Sequence, residues 1–386
     1  MPVTTLSKLY NKFFNTEKSG GFILIFCTIL SLVLTNFFYE SYTDLWHLHI
    51  AGNTLVHWIN DGLMTVFFLL IGLELEREIY IGELSDVRNA ILPAFAALGG
   101  MLVPAGVYFL FNWEGIGRQG AGIPMATDIA FALGVLSMLG KRVPGSLKIF
   151  LTALAVIDDL GAILIIAVLY SSTIYLNNLG IALGIFAVLL ILNRLKVYNL
   201  LPYLVGGSVM WYFMLSSGVH ATVTGVLLAF AIPFGRGDEK SPSYILQDLL
   251  HAPVAFVILP LFALANTAIL INVDSLQGLG SMVSVGIFAG LVIGKPFGVF
   301  LFSYLGTALN ISSLPEDLNW GHIFGAAMLA GIGFTMSIFI TLLAFDDQSL
   351  IDSSKLAVMI ASLLAGIAGF LWLKRSFQKT NARDVA

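Results

Sequence analysis

Three acidic residues and one lysine stand inside long apolar runs of this 386-residue chain: Asp128, the adjacent pair Asp158 and Asp159, and Lys295. Each charged residue at a helix centre in lipid costs roughly 2.5–3.5 kcal/mol, so a function is the default explanation; the bland alternative is an internal ion pair that ties helices together. Asp158 and Asp159 fall near the middle of one apolar run, 147–170, and Lys295 near the middle of another, 282–305. Successive helical residues point about 100° apart, so the two aspartates share a depth but not a direction. One can face a water-filled cavity while the other faces a neighbouring helix, with Lys295 as the natural partner. Two carboxylates, the Thr127 hydroxyl and carbonyls from unwound backbone form an oxygen-only set suited to a hard monovalent cation such as sodium. Burial and a nearby like charge weigh against an ionised pair, and a bound cation offsets both. Protons and sodium would then compete for one site. No GxxxxGK[ST] nucleotide-binding run is present.

A second cluster, Glu74-Leu75-Glu76-Arg77-Glu78 with Glu83, ends another apolar run, and Asp248 and His251 begin a third. Acids gathered around one arginine suit a cation-collecting funnel and a pH-responsive network; the alternative is a solvated helix terminus. The histidines His47, His49, His57, His220 and His322 are scattered and read as structural.

The elements that must position these groups are membrane helices. Apolar side chains make up 58% of the chain and charged ones 11%, far below the quarter usual in soluble domains. Mean hydropathy is +0.91. Runs of about 20 apolar residues suffice to span a bilayer. Twelve are predicted, at approximately 20–39, 59–77, 90–112, 121–140, 147–170, 176–195, 199–217, 219–234, 250–271, 282–305, 323–345 and 353–373. With the N-terminus inside, every Lys and Arg except Arg118, Lys355 and the in-span Lys295 falls on the cytoplasmic side, which supports an even count with both ends cytoplasmic. The first run follows three lysines and lacks a cleavage pattern, so it reads as a retained helix. The lone Cys27 reads as packing. A single polytopic domain covering 1–386 is expected, with alternation at 46–58 suggesting an external hairpin whose edge could serve dimer contacts.

The fourth and eleventh runs are interrupted, by Gly122-Ile123-Pro124-Met125-Ala126-Thr127-Asp128 and Gly331-Ile332-Gly333-Phe334-Thr335. Unwound backbone at membrane depth must be buried in protein or line a cavity. These runs are the middle members of helices 3-5 and 10-12, triplets that an odd displacement along the chain places in opposite orientation. Interrupted segments at matching places in two inverted halves point to a transporter's midplane site. Glycine-mediated packing is the alternative.

The runs 124–134 (PMATDIAFALG) and 153–162 (ALAVIDDLGA), with Gly294-Lys295-Pro296, Ser217-Gly218-Val219-His220-Ala221-Thr222 and 331–339 (GIGFTMSIF), resemble signatures of the NhaA sodium/proton antiporters across nearly the whole chain. That family is itself one of the standard examples of inverted repeats with broken helices, so the agreement of the interrupted runs with it is not an independent prediction. The resemblance implies an all-α integral membrane protein of twelve transmembrane helices, with the broken fourth and eleventh crossing. It implies that Asp128 balances facing N-terminal dipoles, that Lys295 balances C-terminal ones, and that Thr127 sits at the crossing. Asp159 would be the principal sodium or lithium ligand, and Asp158 would pair with Lys295 and exchange protons. Electrogenic antiport in a bacterial inner membrane, homodimers joined through the hairpin and pH sensing by Glu74, Arg77, Glu78 and His251 also follow; the charged cluster described above adds Asp248 to the sensing set. No cofactor, nucleic acid or catalytic residue is expected. Two departures touch only the sensing set: Glu76 stands where a basic residue is expected, and Gln247-Asp248 where glutamate and histidine are expected.

Other classes fit less well. An intramembrane aspartyl protease needs its two carboxylates on facing helices, not adjacent on one. A passive cation channel rarely needs a lysine beside the ion-binding acids, and a proton-coupled carrier of organic solutes would be expected to show substrate-shaping aromatics.

Overall fold

The computed structural model describes residues 3–170 and 174–384, except the side chains of 3–18, 83, 87–89, 141, 168–169, 274 and 379–384. The side chains of Glu83 and of Lys8, Lys12, Lys18, Arg88, Lys141, Lys379 and Arg383 therefore lie outside the described residues.

Among the described residues nine helices are long and apolar enough to cross a membrane, and a tenth span results if Trp320–Ala330 and Phe334–Ala344, bent by 44°, count as one. The chain is a multi-pass membrane protein. The seventh and eighth expected spans are shorter than the sequence suggests. The seventh is Leu201–Leu215, which starts with Pro202 in its first turn and ends before the turn at Ser216-Ser217-Gly218. The eighth is only Val223–Ala231. Nine residues give about 13 Å of helix, well under the roughly 30 Å of a bilayer core. Pro233 sets its end: the preceding Ile232 is extended at ψ 136, as a residue before proline prefers to be.

The chain divides into two compact units. The first comprises 1–16, 23–82 and 163–268. It contains Met64–Tyr80, Leu176–Arg194, Leu201–Leu215, Val223–Ala231 and Pro242–Pro253. A two-stranded antiparallel ladder pairs His49 with Thr54 and Ile50 with Asn53 around Ala51 and Gly52, both at positive φ. That is the backbone of a tight hairpin turn whose twist matches its strands. In Leu176–Arg194 only 11% of the apolar window is buried, so the helix presents most of its surface to lipid.

The second unit comprises 17–22, 83–162 and 269–386. Val87–Phe111 packs against Lys295–Ala308 so closely that a Cβ on Gly99 or Gly298 would overlap the other's carbonyl oxygen. A π-turn, Gly290–Gly294, precedes Lys295 directly. The fourth expected span is the most enclosed, with 83% of its window buried. It is a 3-10 segment, Ile116–Met125, then non-helical Ala126, Thr127 and Asp128, then the helix Ile129–Ser137. The eleventh stops at Ala330 and restarts at Phe334.

Candidate functional site

Both breaks lie in the second unit, and their freed backbone groups find partners in each other. The Asp128 N–H donates to the Ile332 carbonyl at 2.7 Å. The Thr127 hydroxyl lies 3.0 Å from the Ala330 carbonyl, and Ser337 donates its hydroxyl to the Ile123 carbonyl at 2.6 Å. Phe334 N–H donates to the Ser362 hydroxyl at 3.1 Å. Backbone exposed by the unwinding is thus satisfied inside protein, as a hydrocarbon surrounding requires.

Asp128 is 2% exposed and caps two helices at once. Its Oδ1 accepts from Phe131 N–H at 2.9 Å, which caps Ile129–Ser137. Its Oδ2 accepts from both the Thr335 N–H, at 3.0 Å, and the Thr335 hydroxyl, at 2.6 Å, in the first turn of Phe334–Ala344. A carboxylate at two helix N-termini meets two positive dipole ends as well as three donors.

Lys295 supplies the opposite charge at the opposite kind of end. Fully enclosed, its ammonium donates to the Met125 carbonyl, the last residue of the 3-10 segment, and lies 2.8 Å from Asp158 Oδ2. The same Oδ2 lies 2.8 Å from the Thr127 hydroxyl. One hydroxyl proton cannot fully serve both Asp158 and Ala330, so Thr127 links the carboxylate to the end of the other broken helix by sharing it or switching. Asp158 Oδ1 has no hydrogen-bond partner among the described residues. Asp159, 1% exposed on the same helix, acts electrostatically on Lys295. The structure therefore brings Thr127, Asp158 and Lys295 into one contact cluster, with Asp128 next to Thr127 and Asp159 next to Asp158 in the chain.

Sequence reasoning did not single out Thr335, Ser337 or the Met125 carbonyl as site groups. The signal available for the first two was position: both hydroxyls follow the Gly331–Gly333 interruption by a few residues.

The second expected cluster lies within the first unit. Glu74 and His251 are buried with Oε1 and Nδ1 3.5 Å apart, and Arg77 pairs with Glu78 at 3.3 Å. Glu76, also buried, accepts a hydrogen bond from the Ser243 hydroxyl at 3.0 Å, and Gln247 lies 3.4 Å from His251 Nε2. Ser243, Gln247 and His251 are spaced by four and so share one face of Pro242–Pro253, turned to Met64–Tyr80. Asp248 is half-buried and interacts electrostatically with Tyr244. This cluster is a buried polar seam, not a solvated helix end. Of the other histidines, His47 and His220 bond backbone carbonyls of Thr43 and Tyr170, and His322 completes a helix cap with Asn319.

A membrane protein with charges buried at paired helix breaks defines a class, that of ion-coupled secondary carriers. The family model described as Na+/H+ antiporter 1 matches residues 11–373, and the chain belongs to that family. It is 61% identical over 376 residues to the Na(+)/H(+) antiporter NhaA of Flavobacterium psychrophilum, covering 97% of this chain and 98% of the relative. With the NhaA of Dechloromonas aromatica it shares 56% over 383 residues, 98% of each chain. A solved sodium proton antiporter from Methanocaldococcus jannaschii superposes with a TM-score of 0.56 at 15% identity, over 97% of this chain and 99% of that one, a likeness of fold alone.

Proposed function

We propose that this chain exports sodium or lithium from a bacterial cell in exchange for protons, as a polytopic protein of the inner membrane. The observation that carries the reading is the enclosed Asp158–Lys295 pair beside Asp159, held against two backbone breaks. Asp159 is the principal cation ligand and Asp158 the second, with Thr127 at the crossing of the broken helices. A cation arriving at the two carboxylates competes with the Lys295 ammonium for Asp158 and with protons for both acids, because a small cavity cannot hold several uncompensated positive charges. Release to the other side and reloading with protons complete the cycle by alternating access, which needs no ATP and no cofactor. More protons enter than sodium ions leave, so the exchange is electrogenic.

Asp128 and Lys295 balance helix ends exposed by the breaks. The full topology is twelve spans with helices 3-5 and 10-12 as inverted repeats, Leu201–Leu215 and Val223–Ala231 counting as the seventh and eighth. Glu74, Arg77, Glu78, Asp248 and His251 form the pH-responsive entrance, with Glu76 a departure that alters its setting. Two copies associate through the hairpin at 46–58.

The test is sodium-triggered proton movement in everted vesicles from antiporter-deficient cells, comparing wild type with Asp159→Asn. Sodium-dependent loss of the acid-inside gradient in wild type and none in the variant is expected; a silent, well-expressed wild type at every pH would remove the reading.

A further inference from the structure

Trp320–Ala330, the first half of the interrupted eleventh span, begins with a capping box that a histidine completes. Asn319 is the N-cap, and its Oδ1 accepts from the His322 N–H at 3.0 Å. In return the Asn319 N–H donates to His322 Nδ1 at 3.3 Å. Boxes of this kind are usually closed by glutamate or glutamine at the third helical position. The side-chain oxygen of glutamine accepts at every pH, whereas an imidazole nitrogen accepts only while it carries no proton.

His322 is 1% exposed, and Asn319 offers its ring donors on both sides. With the Asn319 Oδ1 taken by the His322 N–H, the amide Nδ2 is what lies 3.2 Å from Nε2. Both ring nitrogens therefore face N–H groups. A neutral imidazole can accept from one of them, an imidazolium from neither. Its charge would also stand in a first turn, where the helix dipole disfavours cations. The charged and titratable groups around it are few among the described residues. From Gln348–Asp384 the Phe377 ring lies 4.9 Å from the imidazole, centroid to centroid, while Lys374 and Arg375 are exposed. Tyr304 of Lys295–Ala308 is turned to Trp320, and Ile129–Ser137 carries no charge. Asp317, exposed in the loop before the helix, acts on His322 electrostatically, so a protonated ring is drawn toward it and away from the cap.

The helix capped in this way has eleven residues, about 16 Å of length, and its far end is the break. There the Ala330 carbonyl meets the Thr127 hydroxyl at 3.0 Å, and the Ile332 carbonyl accepts from the Asp128 N–H at 2.7 Å. Gly331 and Ile332 are in turn tied to the helix by N–H bonds to the Met328 and Leu329 carbonyls. We propose that His322 is a proton-sensitive positioning residue for this site: neutral, it fixes the start of Trp320–Ala330 and so the carbonyls that hold Thr127 and Asp128; protonated, it releases the cap and slows exchange. On the antiport reading above, with the 309–319 loop inside the cell as the twelve-span topology has it, the proton comes from the cytoplasm. Exchange that brings protons in is then slowed as the cell interior acidifies.

Two substitutions separate the proton from the cap. His322→Gln keeps an acceptor at the third position that takes up no proton, and His322→Ala removes the acceptor at every pH. Amide hydrogen exchange at 319–323 is followed in the purified full chain, with each rate divided by its intrinsic value at that pH. Between about pH 8 and about pH 6, across the imidazole range, protection in wild type is expected to fall about fivefold, the worth of one cap. It is expected to stay constant in His322→Gln and to be low throughout in His322→Ala. Sodium-triggered proton movement is measured in parallel in everted vesicles, whose bath touches the cytoplasmic face. At the acid end His322→Gln is expected to keep about threefold more of its alkaline rate than wild type keeps.

Protection in wild type that changes no more than in His322→Gln would overturn the proposal, because the cap then does not titrate. So would superposed rate profiles of wild type and His322→Gln, because the cap then does not govern the site. A wild type silent in vesicles while its cap titrates as expected is a failure of the antiport reading, with the switch at His322 upheld. If His322→Ala does not elute as wild type, His322→Gln decides alone.

Discussion

The two buried polar clusters of this chain are built on opposite plans. Around Asp128, Asp158 and Lys295 the backbone itself breaks, and carbonyls and N–H groups from two interrupted spans take part in most of the contacts. Around Glu74, Glu76 and His251 the helices run on through the site and only side chains meet. A charge bonded to helix ends cannot change state without asking the backbone to respond. A charge bonded to a serine or a histidine can. The first plan suits a site that must be coupled to a conformational change, the second one that adjusts how readily the change occurs.

Substitutions that separate the plans should therefore differ in kind as well as size. Asp159→Asn is expected to reduce sodium-dependent proton movement in everted vesicles to background while leaving expression and elution unchanged; residual exchange would move the ion site elsewhere. Lys295→Met leaves Asp158 buried without its cation, which costs about 3–5 kcal/mol, and is expected to lower thermal stability in detergent as well as exchange; unchanged stability would mean that water or another cation already screens Asp158. Thr335→Val takes one of three donors from Asp128, a hydrogen bond to a charged group worth about 1.5–3 kcal/mol. A fall in melting temperature that Thr341→Val, one bond removed on the same helix but away from Asp128, does not match would tie the loss to the break. Ser243→Ala is the mildest, about 1 kcal/mol. Its expected effect is a displaced pH profile of exchange between about pH 6.5 and about 8.5 with the maximal rate kept. A flat profile in wild type would remove the sensing role of the whole seam.

Much of this was legible in the sequence because lipid makes charge conspicuous. The in-span Asp128, Asp158, Asp159 and Lys295 stood out against their apolar runs, and the interruptions around Pro124 and Gly331 marked where helices stop. What was not legible depends on chain segments distant in sequence. The Thr335 donors reach Asp128 across 207 positions, and Ser243 reaches Glu76 across 167. No local pattern encodes those pairings. The shortness of Val223–Ala231 could have been read from Pro233, but non-helical apolar residues at its two ends, Val219 and Ala221 before it and Ile232 and Phe234 after it, lengthen the hydropathic run beyond the helix itself.

The π-turn at Gly290–Gly294 holds one residue more than the same length of α-helix would. Lys295 owes its direction to that surplus, so the segment carries a built-in allowance for a change in length. Removing one residue inside 290–294 lets the turn relax to ordinary winding with both flanks kept in place. Removing one within 295–308 instead rotates everything on one side of the cut by about 100°. A single-residue deletion scan of this helix should find its tolerated gap in the π-turn, and it is there that length differences among relatives would be accommodated without moving the lysine.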